Sequence, residues 1–541
     1  MIRRARSFAL LVAASAVCSL VAAYGCGTDD VGGASVEEGG VSPIEGGVVL
    51  EDGAVVLPDG NVVLPDGGPL PVPDAEPGDS GSDADAGAVD AGEDAGIVDP
   101  PPPAGPLSPG YVDYDVNHVL VTGQSNAVAN GGSPPLAAAQ PYGNLMFDTG
   151  VMPMTTCDGN GCKAFQAPGA FVPLVEGDRF FNYTVETPAS GLANEVSHLA
   201  LNAYEFNVRA GYPVKHDVLV SIHGRSGNTY WCLRKGFCNY NAARGHMSPF
   251  GQGMMEVEAA KALAAAGGKS YVVRAVAAVH GESDHYAYVG NRSEFPLTGT
   301  DGTPGKIKDY KDALVEWQQD YEASVKAITG QAQPVPLFIS AVSGFTTTRT
   351  SQVLQMQLDA HIAAPGKVVY VTPAYPLTVR SDCLHFDQHG YRKLGEYFAK
   401  VYARVVFGGE TWEPVRPKQV TRAGNVITVK FFVPKPPLVF DTARVTNPGN
   451  YGFDVVDNGA IVASTAAITA PDTVTITMAA APSGGPLRVR YAQNQPTSAC
   501  IGPGTQYAGG ARGNLRDSDD APSLYGYELF NWGANFDVGV P

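Results

Sequence analysis

His118-Val119-Leu120-Val121 runs directly into Thr122-Gly123-Gln124-Ser125-Asn126. A short apolar run of this kind reads as a buried strand, and the polar, glycine-bearing cluster marks where it ends. The same arrangement returns twice. Val218-Leu219-Val220-Ser221-Ile222 ends in His223-Gly224-Arg225-Ser226-Gly227-Asn228, and the strand over residues 271–279 ends in His280-Gly281-Glu282-Ser283-Asp284. Strands at Pro336 to Val342 and Lys367 to Val371 continue the series. Between them lie stretches with helical spacing: Leu192 to Ala210, Met254 to Ala266, Tyr310 to Ile328, Gln352 to Ile362 and Gly390 to Val406. Strand and helix alternate through about 300 residues, which predicts an α/β fold, a parallel sheet with helices on both faces.

In open α/β sheets, ligands bind outside the carboxyl ends of the strands. Ser125, the loop from His223 to Asn228 and the loop from His280 to Asp284 are therefore expected to share one crevice. Glycine, serine and asparagine also simply make turns. Three such clusters carrying His, Ser and Glu favour a site. Ser125, between a strand and an expected helix, has backbone N–H groups aimed at one spot. Its hydroxyl needs a base to become a nucleophile. His385, in Ser381-Asp382-Cys383-Leu384-His385-Phe386, is that base, and Asp382, three residues earlier, orients it through a tight turn. His389 is an alternative base, with Asp387 beside it. Asp115 and His118 repeat the Asp-x-x-His spacing at the wrong end of their strand, so His118 is read as structural.

Gly123-Gln124-Ser125-Asn126, then His280-Gly281-Glu282-Ser283-Asp284, then Asp382-x-x-His385, in this order, resemble the SGNH hydrolases, and more closely the sialate O-acetylesterase-like carbohydrate esterases. The resemblance covers roughly residues 115–408. It implies a flavodoxin-like α/β/α sandwich that removes acetyl groups from sugars without a metal or other cofactor. It also implies Ser125 as nucleophile, His385 as base and Asp382 as its acid. For the oxyanion hole it implies the Ser125 N–H, the N–H of Gly191 in Ser190-Gly191-Leu192-Ala193, and an amide side chain in the third block. His280 stands where that amide is expected. Either His280 donates in its place, or Asn228 does, or neither does; the rival to an enzyme is a surface carbohydrate-binding protein on the same fold, made inactive by the His280 change. Glu282 is expected to orient loops. Tyr230, Trp231, Tyr286 and Tyr288 flank these loops, either as sugar-stacking faces or as packing.

The 541-residue chain is 44% hydrophobic and 17% charged, which is globular composition, with a formal charge of −18. Residues 27–110 carry 18 Asp/Glu and no Lys or Arg, so the acidity belongs to a tail, and residues 111–541 are near neutral with 33 Lys/Arg against 36 Asp/Glu. No electrostatic footprint for nucleic acid or anionic lipid is present. Arg3, Arg4 and Arg6 precede an apolar run from Phe8 to Ala23, which reads as an export signal over residues 1–25 rather than a membrane span. Ala23-Tyr24-Gly25-Cys26 resembles a bacterial lipobox, with Cys26 as the lipidated first residue and a membrane-anchored or secreted product. Residues 26–110 contain a period-seven repeat at Val48, Val55 and Val62, then Asp-Ala-Gly steps and prolines. They are expected to form an extended, disordered spacer, with Ca²⁺ binding as the rival reading. Cys157 with Cys162 and Cys232 with Cys238 suggest local disulfides, leaving Cys383 and Cys500; zinc is the rival, but the spacings lack a zinc knuckle's two-residue gap. The esterase domain is expected over 111–408. Short alternating strands from Trp412 onward predict a C-terminal all-β accessory domain over 412–541, sandwich-like and without a catalytic set.

Overall fold

The computed structural model describes residues 111–153, 165–177, 184–201, 216–236, 248–344, 351–382, 384–493 and 510–541, with a few two-residue strands outside these ranges. Residues 1–25, read from the sequence as an export signal, and Cys26, Cys238, Cys383 and Cys500 lie outside the described residues.

The chain divides into two compact units, Met1–Gly87 and Ala88–Pro541. In the first, Val48–Val49, Val55–Val56 and Val62–Val63 pair as a three-stranded antiparallel meander. At this point the period-seven repeat departs from the extended spacer expected of it.

The second unit is built on a seven-stranded sheet. In chain order its strands are β1 (Val116–Gly123), β2 (Leu145–Phe147), β3 (Phe171–Pro173), β4 (Val218–Ile222), β5 (Tyr271–Val279), β6 (Leu337–Ala341) and β7 (Val368–Pro373). Their spatial order is β7-β6-β5-β1-β4-β2-β3. All neighbours pair in parallel except β2 with the edge strand β3. Without β2 and β3, the five remaining strands run 2-1-3-4-5 in chain order, the flavodoxin-like arrangement. The strands β1 and β4 to β7 are buried almost end to end, so they show no polar alternation and read as continuous apolar runs.

The helices are α1 (Pro188–Leu201), α2 (Tyr230–Leu233), α3 (Pro249–Ala266), α4 (Glu282–Val289), α5 (Tyr310–Thr329), α6 (Gln352–Ala363) and α7 (Gln388–Tyr402). The chain leaves β1 toward one edge through β2 and β3, returns through α1 to β4, then crosses to β5 through α3 and on through α5 and α6. α1 packs against β4, whereas α3 packs on α5 and α5 on α6, and these three lie against β5 to β7. α7 packs on α1. That packing explains one glycine: a Cβ on Gly191 would lie 2.1 Å from the Arg392 carbonyl oxygen. α5 starts on an Asp309 cap and ends on Gly330 in the left-handed region (φ 74°).

Beyond residue 412 the chain forms two four-stranded sheets. One joins Arg416–Ala423, Val426–Phe432, Thr473–Met478 and Ser464–Ala470; the other joins Ala460–Val462, Phe453–Asp457, Leu487–Tyr491 and Phe536–Gly539. All pairings in them are antiparallel. Their apolar residues, including Val429, Phe431, Val455 and Phe536, share one core cluster with β5 to β7. The last residues return to the α/β layer. Lys400 donates to Asp519 and Asn531, and Glu195 and Glu396 accept from the Leu524 and Tyr525 amides.

Candidate active site

The strand order reverses at β1, between β4 and β5, and ligand crevices lie at such a point. Three loops meet there by hydrogen bonds. The Arg225 amide donates to the Gly123 carbonyl at 2.8 Å. The Gln124 amide donates to the Val279 carbonyl at 3.2 Å, and the Gln124 side-chain oxygen accepts from the Ser283 amide at 3.0 Å. Gly123 has to be glycine: its φ is +133°, and a Cβ would sit 2.1 Å from the Val279 oxygen.

Ser125, 5% exposed, follows in an irregular run of turns rather than the expected helix. Its neighbour Asn126 is fully buried and saturated. Asn126 Nδ2 donates to Glu282 Oε1 at 2.8 Å and to the Leu384 carbonyl at 3.1 Å. Asn126 Oδ1 accepts from the Phe386 amide at 3.4 Å and the Tyr391 hydroxyl at 2.9 Å. Leu384 and Phe386 flank His385, so the serine loop and the histidine loop are stitched together through the residue after Ser125.

His385 Nδ1 lies 2.8 Å from Asp382 Oδ2, and Asp382 Oδ1 accepts the Leu384 and His385 amides at 3.0 Å each. Burial works against the Asp382 carboxylate, but these donors outweigh it and hold the group down at about 2. The pair is accessible, with side-chain exposures of 16% for His385 and 43% for Asp382. The alternative pairing is otherwise engaged. Asp387 caps α7, accepting the Gly390 amide at 2.7 Å, and His389 Nδ1 lies 3.0 Å from the Tyr527 hydroxyl.

Glu282 opens α4 and is 4% exposed. Burial pushes its carboxyl up, opposed by its own backbone amide, Asn126 and the field of His385. Its Oε2 is buried without a hydrogen-bond partner among the described residues.

His280 departs from expectation. Its side chain is fully buried, with Nδ1 2.8 Å from the Tyr310 hydroxyl and Nε2 2.9 Å from the Asn228 carbonyl oxygen. A carbonyl only accepts, so Nε2 carries the proton and the neutral ring has no second N–H to offer an ester oxygen. Burial depresses its pKa to about 4. The expectation of His280 as oxyanion donor is corrected on this ground. Asn228, 9% exposed, donates one amide hydrogen to the Ser226 carbonyl at 2.8 Å. Gly191 lies within α1, where packing against α7 accounts for it.

The remaining histidines and aromatics divide by burial. His118 contacts the hydroxyls of Tyr271 and Ser221, and His223 contacts Glu256 and Tyr321; both rings are fully buried. So the histidine of the β4 loop faces the core, not the crevice. Tyr230 is buried with its hydroxyl on Glu316, and Tyr288 stacks on Phe295, which makes both packing residues. Trp231 remains 38% exposed. Cys232 is buried and disulfide-bonded, and Cys157 and Cys162 are directly opposite in a two-stranded antiparallel pair.

No protein-family model and no curated protein sequence matches the chain. Among solved structures it is similar to XAC1771, a carbohydrate acetylesterase from Xanthomonas citri, at 14% identity and TM-score 0.47 over 78% of this chain and 80% of that one. It is also similar to NanS, at 14% identity and TM-score 0.31 over 53% of this chain and 97% of that one. A third is Est24, a carbohydrate acetylesterase from Sinorhizobium meliloti, at 9% identity and TM-score 0.27 over 53% and 99%.

Proposed function

We propose that this protein is an exported serine esterase that removes O-acetyl groups from carbohydrates. The observation that carries the reading is the stitch through Asn126, which ties the loop of Ser125 to both neighbours of a histidine already paired with a carboxylate. In the proposed cycle His385 Nε2 takes the Ser125 hydroxyl proton as Oγ attacks the acetyl carbonyl. Asp382 holds the Nδ1–H tautomer and stabilises the imidazolium. The Ser125 amide and the free N–H of Asn228 receive the oxyanion, with Gly191 as a further candidate donor. Collapse expels the sugar alcohol, which takes its proton from the imidazolium. Water, activated by the same histidine, then releases acetate. Glu282 keeps Asn126 in place. An SGNH-type esterase for another short acyl group would use the same residues, since acyl choice lies in the loops.

The test is capture of the nucleophile. Diisopropyl fluorophosphate phosphorylates an activated serine with loss of fluoride, so peptide mass mapping of the treated protein is expected to place one adduct on Ser125. No adduct in Ser125→Ala and a much slower one in His385→Ala support the reading. Unmodified Ser125 in folded protein under conditions that label a known serine esterase contradicts it.

The sequence supports a location to match: an export segment, Cys26 as a lipid anchor and an acidic spacer. Local bridges Cys157–Cys162 and Cys232–Cys238 suit an oxidising compartment, with Cys383 and Cys500 left for each other. The chain beyond 412 is read as an accessory β region. We expect the mature protein to begin at a lipid-modified Cys26 and to enter the detergent phase in Triton X-114 partitioning; an unmodified N-terminus elsewhere, in the aqueous phase, would overturn the anchor.

A further inference from the structure

We infer that His280 is a positioning residue, which with Asp284 grips the backbone of the β4 loop and so aims the side chain of Asn228 at the oxyanion. The inference rests on the esterase reading above. β5 ends at Val279 and delivers His280 into the core side of the crevice, where the Nε2–H hooks the Asn228 carbonyl at 2.9 Å. The Tyr310 hydroxyl, 2.8 Å from Nδ1, donates to it and pins that tautomer. Four residues on, Asp284 Oδ2 accepts the Tyr230 amide at 2.9 Å. A donor thus holds the carbonyl of residue 228 and an acceptor holds the amide of residue 230. Both come from one short segment, and both residues are 1% exposed.

The far side of the loop is equally fixed. The Tyr230 hydroxyl and the Arg234 guanidinium both donate to Glu316 Oε2 at 2.7 Å. With its backbone immobilised, Asn228 keeps one degree of choice, its side chain, and the Ser226 carbonyl takes one of the two amide hydrogens. The other is left for charge that develops on the ester oxygen. Pre-aimed donors of this kind act without reorganising at the moment of reaction.

The His280 ring makes the grip separable by mutation. A glutamine side-chain nitrogen reaches about as far as Nε2, whereas an asparagine nitrogen reaches only as far as Nδ1. Full-length variants would be assayed for kcat and KM on 4-nitrophenyl acetate. Asn228→Ala is expected to lower kcat about 100-fold, with KM changed less than about threefold. His280→Asn is expected to lower kcat about 10- to 100-fold, the cost of misplacing a group by about 1 Å. His280→Gln is expected to keep kcat within about fivefold of wild type. In an Asn228→Ala background, His280→Asn should add almost nothing, because the group it aims is gone.

Wild-type kcat in His280→Asn overturns the inference, as do losses in the two single variants that simply multiply, or a glutamine variant as impaired as the asparagine one. Should His280→Asn not fold, Tyr310→Phe reads the same relay by releasing the tautomer. It is expected to lower kcat severalfold in the wild-type background and not in Asn228→Ala; equal losses in both overturn the relay. A wild-type protein no more active than Ser125→Ala overturns the esterase reading and this inference together, whereas an active wild type with indifferent His280 variants overturns this inference alone.

Discussion

Asp382 stands half in solvent, and that sets how much it can do for His385. A triad acid buried away from water supports the imidazolium with a weakly screened charge, and amidation of such a group costs about 10⁴-fold in turnover. Here the carboxylate is 43% exposed, so water and salt screen its field, while its contact to Nδ1 at 2.8 Å still selects the tautomer. Asp382→Asn should therefore lower kcat/KM by about 100-fold rather than by the larger factor. With its pKa near 2, Asp382 stays ionised across ordinary assay pH, so its titration adds no acid limb to the rate profile above pH 4. Steady-state rates from pH 4 to 9 check both points; a variant within threefold of wild type would contradict the assigned role.

At the scale of elements, the site is a joint between loops rather than a property of any one of them. The serine turn, α4 and the His385 turn come from distant parts of the chain, and Asn126, in the first, bonds to the other two. Asn126→Ala removes those bonds and leaves the Leu384 carbonyl and Glu282 Oε1 without that donor. It is expected to lower kcat about 10- to 100-fold and to leave Ser125 chemically intact. Hydrogen exchange should rise at residues 384–390 while β1 and β5 stay protected. Unchanged exchange there, or unchanged kcat, would contradict the joint.

The strand ends that make this joint are plain in the sequence, because a buried parallel strand is an apolar run and its polar terminus stands out. The Asp382–His385 pair is local and equally legible. His280 is legible as a crevice residue but not in its role, since the partner that sets its tautomer, Tyr310, is 30 residues away on α5 and the carbonyl it hooks is on another strand's loop. His223 misleads for the same reason: its partners, Glu256 and Tyr321, come from α3 and α5. Asn126 stands in the quoted motif, yet nothing in the sequence says that its four hydrogen bonds all reach across the site. The strands β2 and β3, three residues each, are too short to leave a pattern.

Over the whole folded unit, buried ionisable groups set a stability optimum. Burial raises the Asp284 carboxyl from 3.8 to about 8 and pushes Glu176 and Glu396 upward as well. For a raised acid, stability is full below the unfolded value and is lost as pH rises through the folded one. Burial lowers His280 and His285 to about 4, so their contribution is full above about 6.5 and is lost as pH falls. The two trends oppose each other below pH 6, and only the carboxyl trend remains above it. The melting temperature is therefore expected to fall between pH 6 and pH 8.5, and to fall less in Asp284→Asn, whose side-chain oxygen still accepts the Tyr230 amide. A melting temperature that rises over that interval would contradict this account of the core.

The central claim, that Ser125 is the nucleophile of a carbohydrate O-acetylesterase, is tested most directly by measuring acetate released from acetylated polysaccharides and O-acetylated sialosides by wild type and Ser125→Ala side by side. The account predicts steady acetate release by the wild-type protein from at least one of these carbohydrates, and a rate at least 1,000-fold lower, on the order of triad removal, from the equally folded alanine variant. Equal rates from the two proteins, or no acetate from any acetylated carbohydrate with the wild type, would contradict it.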